Sequence, residues 1–168
     1  MPAGTERFDH LHASYGAALR RLAHVYAAGQ ADVDDLVQDI WFAIWRALPG
    51  FRGDCSERTF IYRIAHNRGL TARSRGRSHD PVDAHPDLAD PGAAPDTLAD
   101  RSLRASRLLR AVRALPDRLR EVVILQLEGL GNQEIAAVTG LSESNVGVRL
   151  SRARAELRKR LEPLAERT

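Results

Sequence analysis

The sequence predicts an all-α protein: two small helical domains joined by a flexible, acidic linker. Three observations lead there. Apolar residues recur at helical spacing on both sides of the chain, and no alternating apolar–polar run marks a strand. Residues 78–100 carry Pro81, Pro86, Pro91 and Pro95 among Asp and Ala, with almost no large apolar side chain. All nine aromatic residues (Phe8, Tyr15, Tyr26, Trp41, Phe42, Trp45, Phe51, Phe60 and Tyr62) precede that stretch, so the two flanks are different modules and not repeats. A length of 168 residues suits one medium domain or two small ones. The expected division is 1–77, a linker over 78–100, and 101–168.

The elements follow in order. A first helix is expected from about Phe8 to Ala27. From Val33 the apolar positions are 33, 36, 37, 40, 41, 44, 45 and 48, a stripe of period 3.6. Asp32 is placed to cap that helix and Pro49-Gly50 to stop it. Trp41 and Trp45 lie on the stripe and read as core. A third helix is expected from about Glu57 to Arg73. The linker cannot bury enough surface to offset its ordering entropy, and its prolines oppose helix. Beyond it, helices are expected at 101–114, 117–128, 132–138 and 142–161. Arg101, Arg104, Arg107 and Arg110 recur every third residue and read as a solvated stripe with no site.

Charge is distributed unevenly. Residues 1–76 hold ten arginines against eight acids, residues 77–100 one arginine against six aspartates, and residues 101–168 fourteen basic groups against eight acidic ones. A basic C-terminal module behind an acidic tether suits a nucleic-acid binder. Arginine richness alone is weaker support, because Lys159 is the only lysine and the Arg/Ala bias resembles that of a high-GC genome. Cys55 is the sole cysteine, which excludes an intrachain disulfide and suits a reducing compartment. The six histidines are scattered, no HExxH occurs, and no phosphate-binding loop or catalytic constellation is present. The expectation is therefore no metal, no cofactor and no enzymatic activity. Without a signal-peptide core or long apolar run, a cytoplasmic protein with no membrane insertion is expected.

Residues 132–152, NQEIAAVTGLSESNVGVRLSR, carry a helix-turn-helix pattern. Ile135, Ala136 and Val138 sit on a short helix, Gly140 in a turn, and Val146 and Leu150 on a second helix. Two steeply crossing helices need a small residue such as Ala136 where they approach, and the tight turn suits glycine. Ser142 can cap the second helix, leaving Glu143, Ser144 and Asn145 in its first turn. Its outer face is then free for a DNA major groove. Val148, Arg149, Ser151, Arg152 and Arg154 are the candidate contacts there, with arginine suited to guanine edges or phosphates.

At this point the chain resembles the extracytoplasmic-function sigma factors. LPDRLREVVILQLEGLGNQEIAAVTGLSESNVGVRLSRARAELRKRL looks like their C-terminal region 4, which reads the −35 promoter element. DVDDLVQDIWFAIWRALPGFRG looks like the polymerase-binding helix of their region 2, and FIYRIAHNR like the start of the −10-reading helix. The resemblance implies a specificity subunit that binds core RNA polymerase and directs promoter-specific initiation. Asp35, Gln38, Asp39 and Phe42 would meet the clamp helices of the polymerase largest subunit, where an acidic face suits a basic partner. The flap region of the polymerase would be a further contact. The loop Phe51-Arg52-Gly53-Asp54 and Asn67 match the pocket for an unstacked −10 base, and Arg63, Arg68, Arg73, Arg75 and Arg77 would follow the DNA backbone. An anti-sigma factor is an expected partner of the class.

Five positions depart from the family pattern. Gly131 stands where serine is usual, with Asn132 the candidate replacement cap. Gly147 and Val148 replace a basic and a small polar residue. Gly147 costs about 1 kcal/mol of helix propensity, and Val148 offers a thymine-methyl contact but no hydrogen bond. Gly69 and Thr71 weaken the −10 helix. The alternative is a stand-alone helix-turn-helix regulator, which would need a dimer interface or sensor domain, and the sequence offers neither.

Overall fold

The computed structural model describes residues 2–27, 29–76 and 97–161. Every regular element among them is helical: α1 (Pro2–Tyr26), α2 (Gln30–Ala47), a 3-10 turn (Leu48–Gly50), α3 (Glu57–Gly76), α4 (Thr97–Arg113), α5 (Asp117–Leu127), α6 (Asn132–Thr139) and α7 (Glu143–Leu161). Three starts differ from expectation, that of α2 among them, which lies at Gln30 and not after Asp32. α1 begins at Pro2, where proline fits because a first-turn N–H has no helical partner. α4 begins at Thr97, four residues inside the expected linker, since Pro95 is the last helix breaker before it. Arg77 and the linker up to residue 96 lie outside the described residues. The chain divides into two compact units, one built on α1–α3 and the other on α4, α5 and α7; α6 is split between them, its end at residues 137–139 and the following Gly140 grouping with the first.

In the first unit the three helices pack pairwise. Leu11, Leu19 and Leu22 of α1 meet Val33, Ile40 and Ile44 of α2 and Ile61 and Ala65 of α3 in a core with almost no solvent access. The cap of α2 corrects the expectation for Asp32. Gly29 is the N-cap residue, and Asp32, at the third helical position, accepts its backbone N–H at 3.1 Å. Ser56 caps α3, its hydroxyl accepting the Thr59 N–H at 3.0 Å.

The tryptophans part company. Trp41 is buried, 7 % exposed, because α1 covers it with Phe8 edge-on at 5.5 Å and His12 at 4.7 Å. Trp45 is 58 % exposed and not core as expected. One position past Ile44, it sits about 100° round the helix from the buried stripe, beyond what α1 covers.

Gly69 has a packing reason that its propensity conceals. The Tyr26 ring lies against it so closely that a Cβ would stand 2.5 Å from Tyr26 Cδ2. Held there, Tyr26 reaches His66, its hydroxyl 2.7 Å from Nδ1 inside the core.

In the second unit α5 is the central helix. Val122, Val123, Ile124 and Leu125 are all buried, and four consecutive buried residues mean a helix covered on most sides. α4 and α7 supply that cover with Val112, Val146, Leu150 and Ala153. The end of α5 is fixed by Gly129 at φ 82°, with Leu130 N–H donating to the Leu125 carbonyl at 3.1 Å and Gly129 N–H to that of Gln126 at 2.9 Å. This left-handed glycine cap turns Leu130 into the core beside Leu125. At the other end Arg120 donates to the Leu115 carbonyl at 2.9 Å and lies 3.5 Å from Asp117. Burial first, and then the charge of Arg120, push the Arg113 guanidinium below its ordinary pKa.

Candidate functional site

The outer face of α2 carries the first group. Asp35 and Gln38 are exposed and Asp39 is half-buried. Phe42, one turn on, is 55 % exposed and stacks on Trp45 with ring centres 6.3 Å apart and planes 23° from parallel. The Arg46 guanidinium also lies over the Phe42 ring, 5.8 Å from its centre. Phe8, His12, Gln38, Trp41, Phe42 and Trp45 line an open recess where α1 meets this face. The two acids differ. Asp35 points to solvent, whereas Asp39 is 3.7 Å from Arg68 of α3. Trp45 is the residue that sequence reasoning missed. The missed signal was its place one step outside the 33, 36, 40, 44 series.

The second group is split by α3. Arg63 and Asn67 are exposed, and with Phe60 they follow i, i+3, i+7 spacing along one face. Phe51 stacks on Phe60 at 4.4 Å, which docks the 51–54 loop at the start of that face. The Arg7 guanidinium also lies over the Phe51 ring, 5.3 Å from its centre, and is itself 3.4 Å from Glu57. Phe51 is thus half-buried, part plug and part wall. Arg52, Gly53 and Asp54 stand in solvent, with Gly53 at φ 84°. Arg68 and Arg73 leave the group. Arg68 is turned about 100° from Asn67 toward α2. Arg73 is half-buried, its guanidinium 5.7 Å from the centre of the Tyr26 ring. Arg75 is exposed.

The third group lies on α7. Ser142 caps it, accepting the Asn145 N–H at 3.2 Å, and Gly140 makes the preceding turn at φ 77°. The first motif helix is capped differently from expectation. Gly131 is its N-cap residue and Glu134 accepts the Gly131 N–H at 2.9 Å, so Asn132 does not replace the missing hydroxyl. With Val146, Leu150 and Ala153 buried, the opposite ridge carries Ser144, Val148, Ser151 and Arg152, with Asn145 beside them, all exposed. Glu143, also exposed, lies nearer the buried side in the first turn. Arg149 and Arg154 flank the packed face instead of crowning the ridge. Arg154 donates to Gln126 Oε1 at 3.2 Å, and Arg149 makes a long 3.5 Å bond to the Arg118 carbonyl.

Among the described residues no group of His, Cys, Asp and Glu could hold a metal ion, and no helix is long and apolar enough to cross a membrane.

Comparison with known proteins accounts for both units. Residues 11–79 match the family model for sigma-70 region 2, and residues 105–157 that for sigma-70 region 4. The RNA polymerase sigma factor CnrH of Cupriavidus metallidurans is 32 % identical over 166 residues, which covers 92 % of this chain and 87 % of CnrH. The ECF RNA polymerase sigma-E factor of Escherichia coli is 34 % identical over 147 residues, 81 % of this chain and 77 % of that protein. The solved structure of CnrH in complex with the cytosolic domain of CnrY aligns with a TM-score of 0.71 at 31 % identity, over 95 % of this chain and 90 % of that one. The sigma factor RpoE of Bartonella quintana, solved with the anti-sigma factor NepR, shares the fold with a TM-score of 0.76 at 22 % identity, over 94 % and 98 % of the two chains. Two distinct helical units in this order, each with its own family match, make the chain a member of the extracytoplasmic-function sigma factors, which direct promoter-specific transcription initiation by RNA polymerase.

Proposed function

We propose that the outer face of α2 binds core RNA polymerase, that the 51–54 loop with Arg63 and Asn67 reads the −10 element, and that the outer ridge of α7 reads the −35 element. The polymerase set is Asp35, Gln38, Asp39 and Phe42, enlarged by Trp45. The −10 set is Phe51, Arg52, Gly53, Asp54, Arg63 and Asn67, with Arg68 at its margin. Arg73 contributes through Tyr26 and not through DNA. The −35 set is Ser144, Asn145, Val148, Ser151 and Arg152, with Glu143, Arg149 and Arg154 at its edges. The chain acts in the cytoplasm, catalyses no reaction of its own, and divides functionally near residues 77 and 97. An anti-sigma partner belongs to the same reading, since the similar CnrH is found with the cytosolic domain of CnrY.

One observation carries the polymerase assignment. Two large aromatics, Phe42 and Trp45, stand in water beside Asp35 and Gln38, and aromatics ringed by polar groups are typical interface anchors. The acids suit a basic partner surface. The test is association of the purified chain with core polymerase. Asp35→Arg combined with Asp39→Arg is expected to abolish binding, and Trp45→Ala to weaken it by about tenfold or more. Retained affinity in the double variant would remove this face from the interface. Initiation at a specific promoter by the reconstituted holoenzyme tests the reading as a whole.

A further inference from the structure

The ridge that α7 offers to a groove is poor in charge. Counting outward from the buried Val146, Leu150 and Ala153, its midline over the first turns is Ser144, Val148 and Ser151, with Arg152 beside it and Lys159 three turns beyond Val148. The two other arginines near the DNA-facing end are held away from the midline. Arg149 reaches back to the Arg118 carbonyl and Arg154 to Gln126, both on α5. Gly147 adds no side chain, and its open side faces Asn132 of α6, with Nδ2 3.9 Å from where a Cβ would stand. Val148 therefore projects alone from the second turn, 47 % exposed, where recognition helices present their base-reading residues. An isopropyl group makes no hydrogen bond, and its χ1 is stiff, so little ordering is lost on contact. The feature of a major groove it fits is the C5-methyl of thymine, the one apolar group there.

We propose that Val148 is the −35 specificity residue of this chain, reading a thymine methyl by van der Waals contact, while Arg149 and Arg154 clamp phosphates without reading bases. This rests on α7 being the −35-reading helix, and it makes that reading specific. A groove-facing isopropyl selects thymine over cytosine through one methyl. Arginines anchored on α5 instead strengthen binding to every sequence alike.

Replacement of thymine by deoxyuridine deletes that methyl and leaves base pairing intact, so the protein is untouched by the test. Holoenzyme reconstituted with the full chain is titrated on its own promoter, with each −35 thymine of both strands changed in turn to deoxyuridine. Affinity is expected to fall about fourfold at one position, the worth of one buried methyl, and to stay constant at the others. Holoenzyme carrying Val148→Ala is expected to bind the thymine and deoxyuridine promoters equally at that position. Arg149→Ala is expected to weaken all promoters by the same factor and reduce the salt slope by about 1. Insensitivity at every −35 thymine, a −35 element with none, or full sensitivity retained by Val148→Ala would each overturn the proposal. A scrambled −35 element separates the two levels. If scrambling abolishes binding while deoxyuridine has no effect, only the Val148 proposal falls. If scrambling has no effect, the −35 reading of α7 falls with it.

Discussion

A methyl group on Gly69 would stand 2.5 Å and 2.6 Å from Cδ2 and Cγ of Tyr26, atoms too near the ring's attachment to swing aside. Alanine ordinarily gains about 1 kcal/mol over glycine inside a helix. Here overpacking of about 1–3 kcal/mol opposes it, and the displaced ring endangers the buried Tyr26–His66 hydrogen bond as well. Gly69→Ala is therefore expected to lower stability in a urea titration; a stabilised variant would mean that Tyr26 moves freely. Asn67, by contrast, stands in solvent on the face it shares with Arg63. Asn67→Ala is expected to change stability by no more than about 0.5 kcal/mol, yet to weaken open-complex formation more than core binding. Equal losses in the two assays would remove it from the base-reading face. The Arg68–Asp39 pair joins two residues assigned to different partners, and both side chains are more than two-fifths exposed. Such a pair contributes about 0–1 kcal/mol, so it is loose enough for either partner to displace.

Two helices begin by the same device. α2 and α6 each start at a glycine whose N–H is accepted by an acid three residues on, Asp32 for Gly29 and Glu134 for Gly131. Neither start was legible from a search for a capping side chain, because the cap acts backward from the third helical position. Ser142, whose hydroxyl accepts from Asn145, was legible because it follows the usual direction. Ser142→Ala is expected to cost about 1 kcal/mol, read by denaturant titration, and to weaken promoter binding because the turn that frays carries Ser144 and Asn145. Periodicity revealed which helices exist and which face of each is buried. It could not reveal how far round a helix the cover extends, and that is where Trp45 was misjudged: the neighbour that hides Trp41 lies on α1, far away in the sequence. The same limit applies to Arg149 and Arg154, whose attachments to α5 arise only from the crossing of two helices.

At the scale of the molecule, two modules were legible because composition separates them: every aromatic residue lies at or before Tyr62 and none in the second unit. This makes their unfolding separable by optics. Tryptophan emission reports only the first unit, while far-UV circular dichroism reports helices in both. The two denaturation curves are expected not to coincide, with Gly69→Ala moving the emission curve and Ser142→Ala moving only the dichroism. Coincident curves would mean that the units unfold as one. The same pair of tryptophans has a second use. Trp41 is roofed by Phe8 and His12 while Trp45 looks outward, so the free chain carries one shielded indole and one wet one. Any protein that settles on the α2 face must dry Trp45, shifting its emission to shorter wavelength. Trp45→Phe would silence that signal and leave Trp41 glowing as before. The surface proposed for the polymerase is thus also a built-in lamp, and it needs no added dye to report when that face is covered.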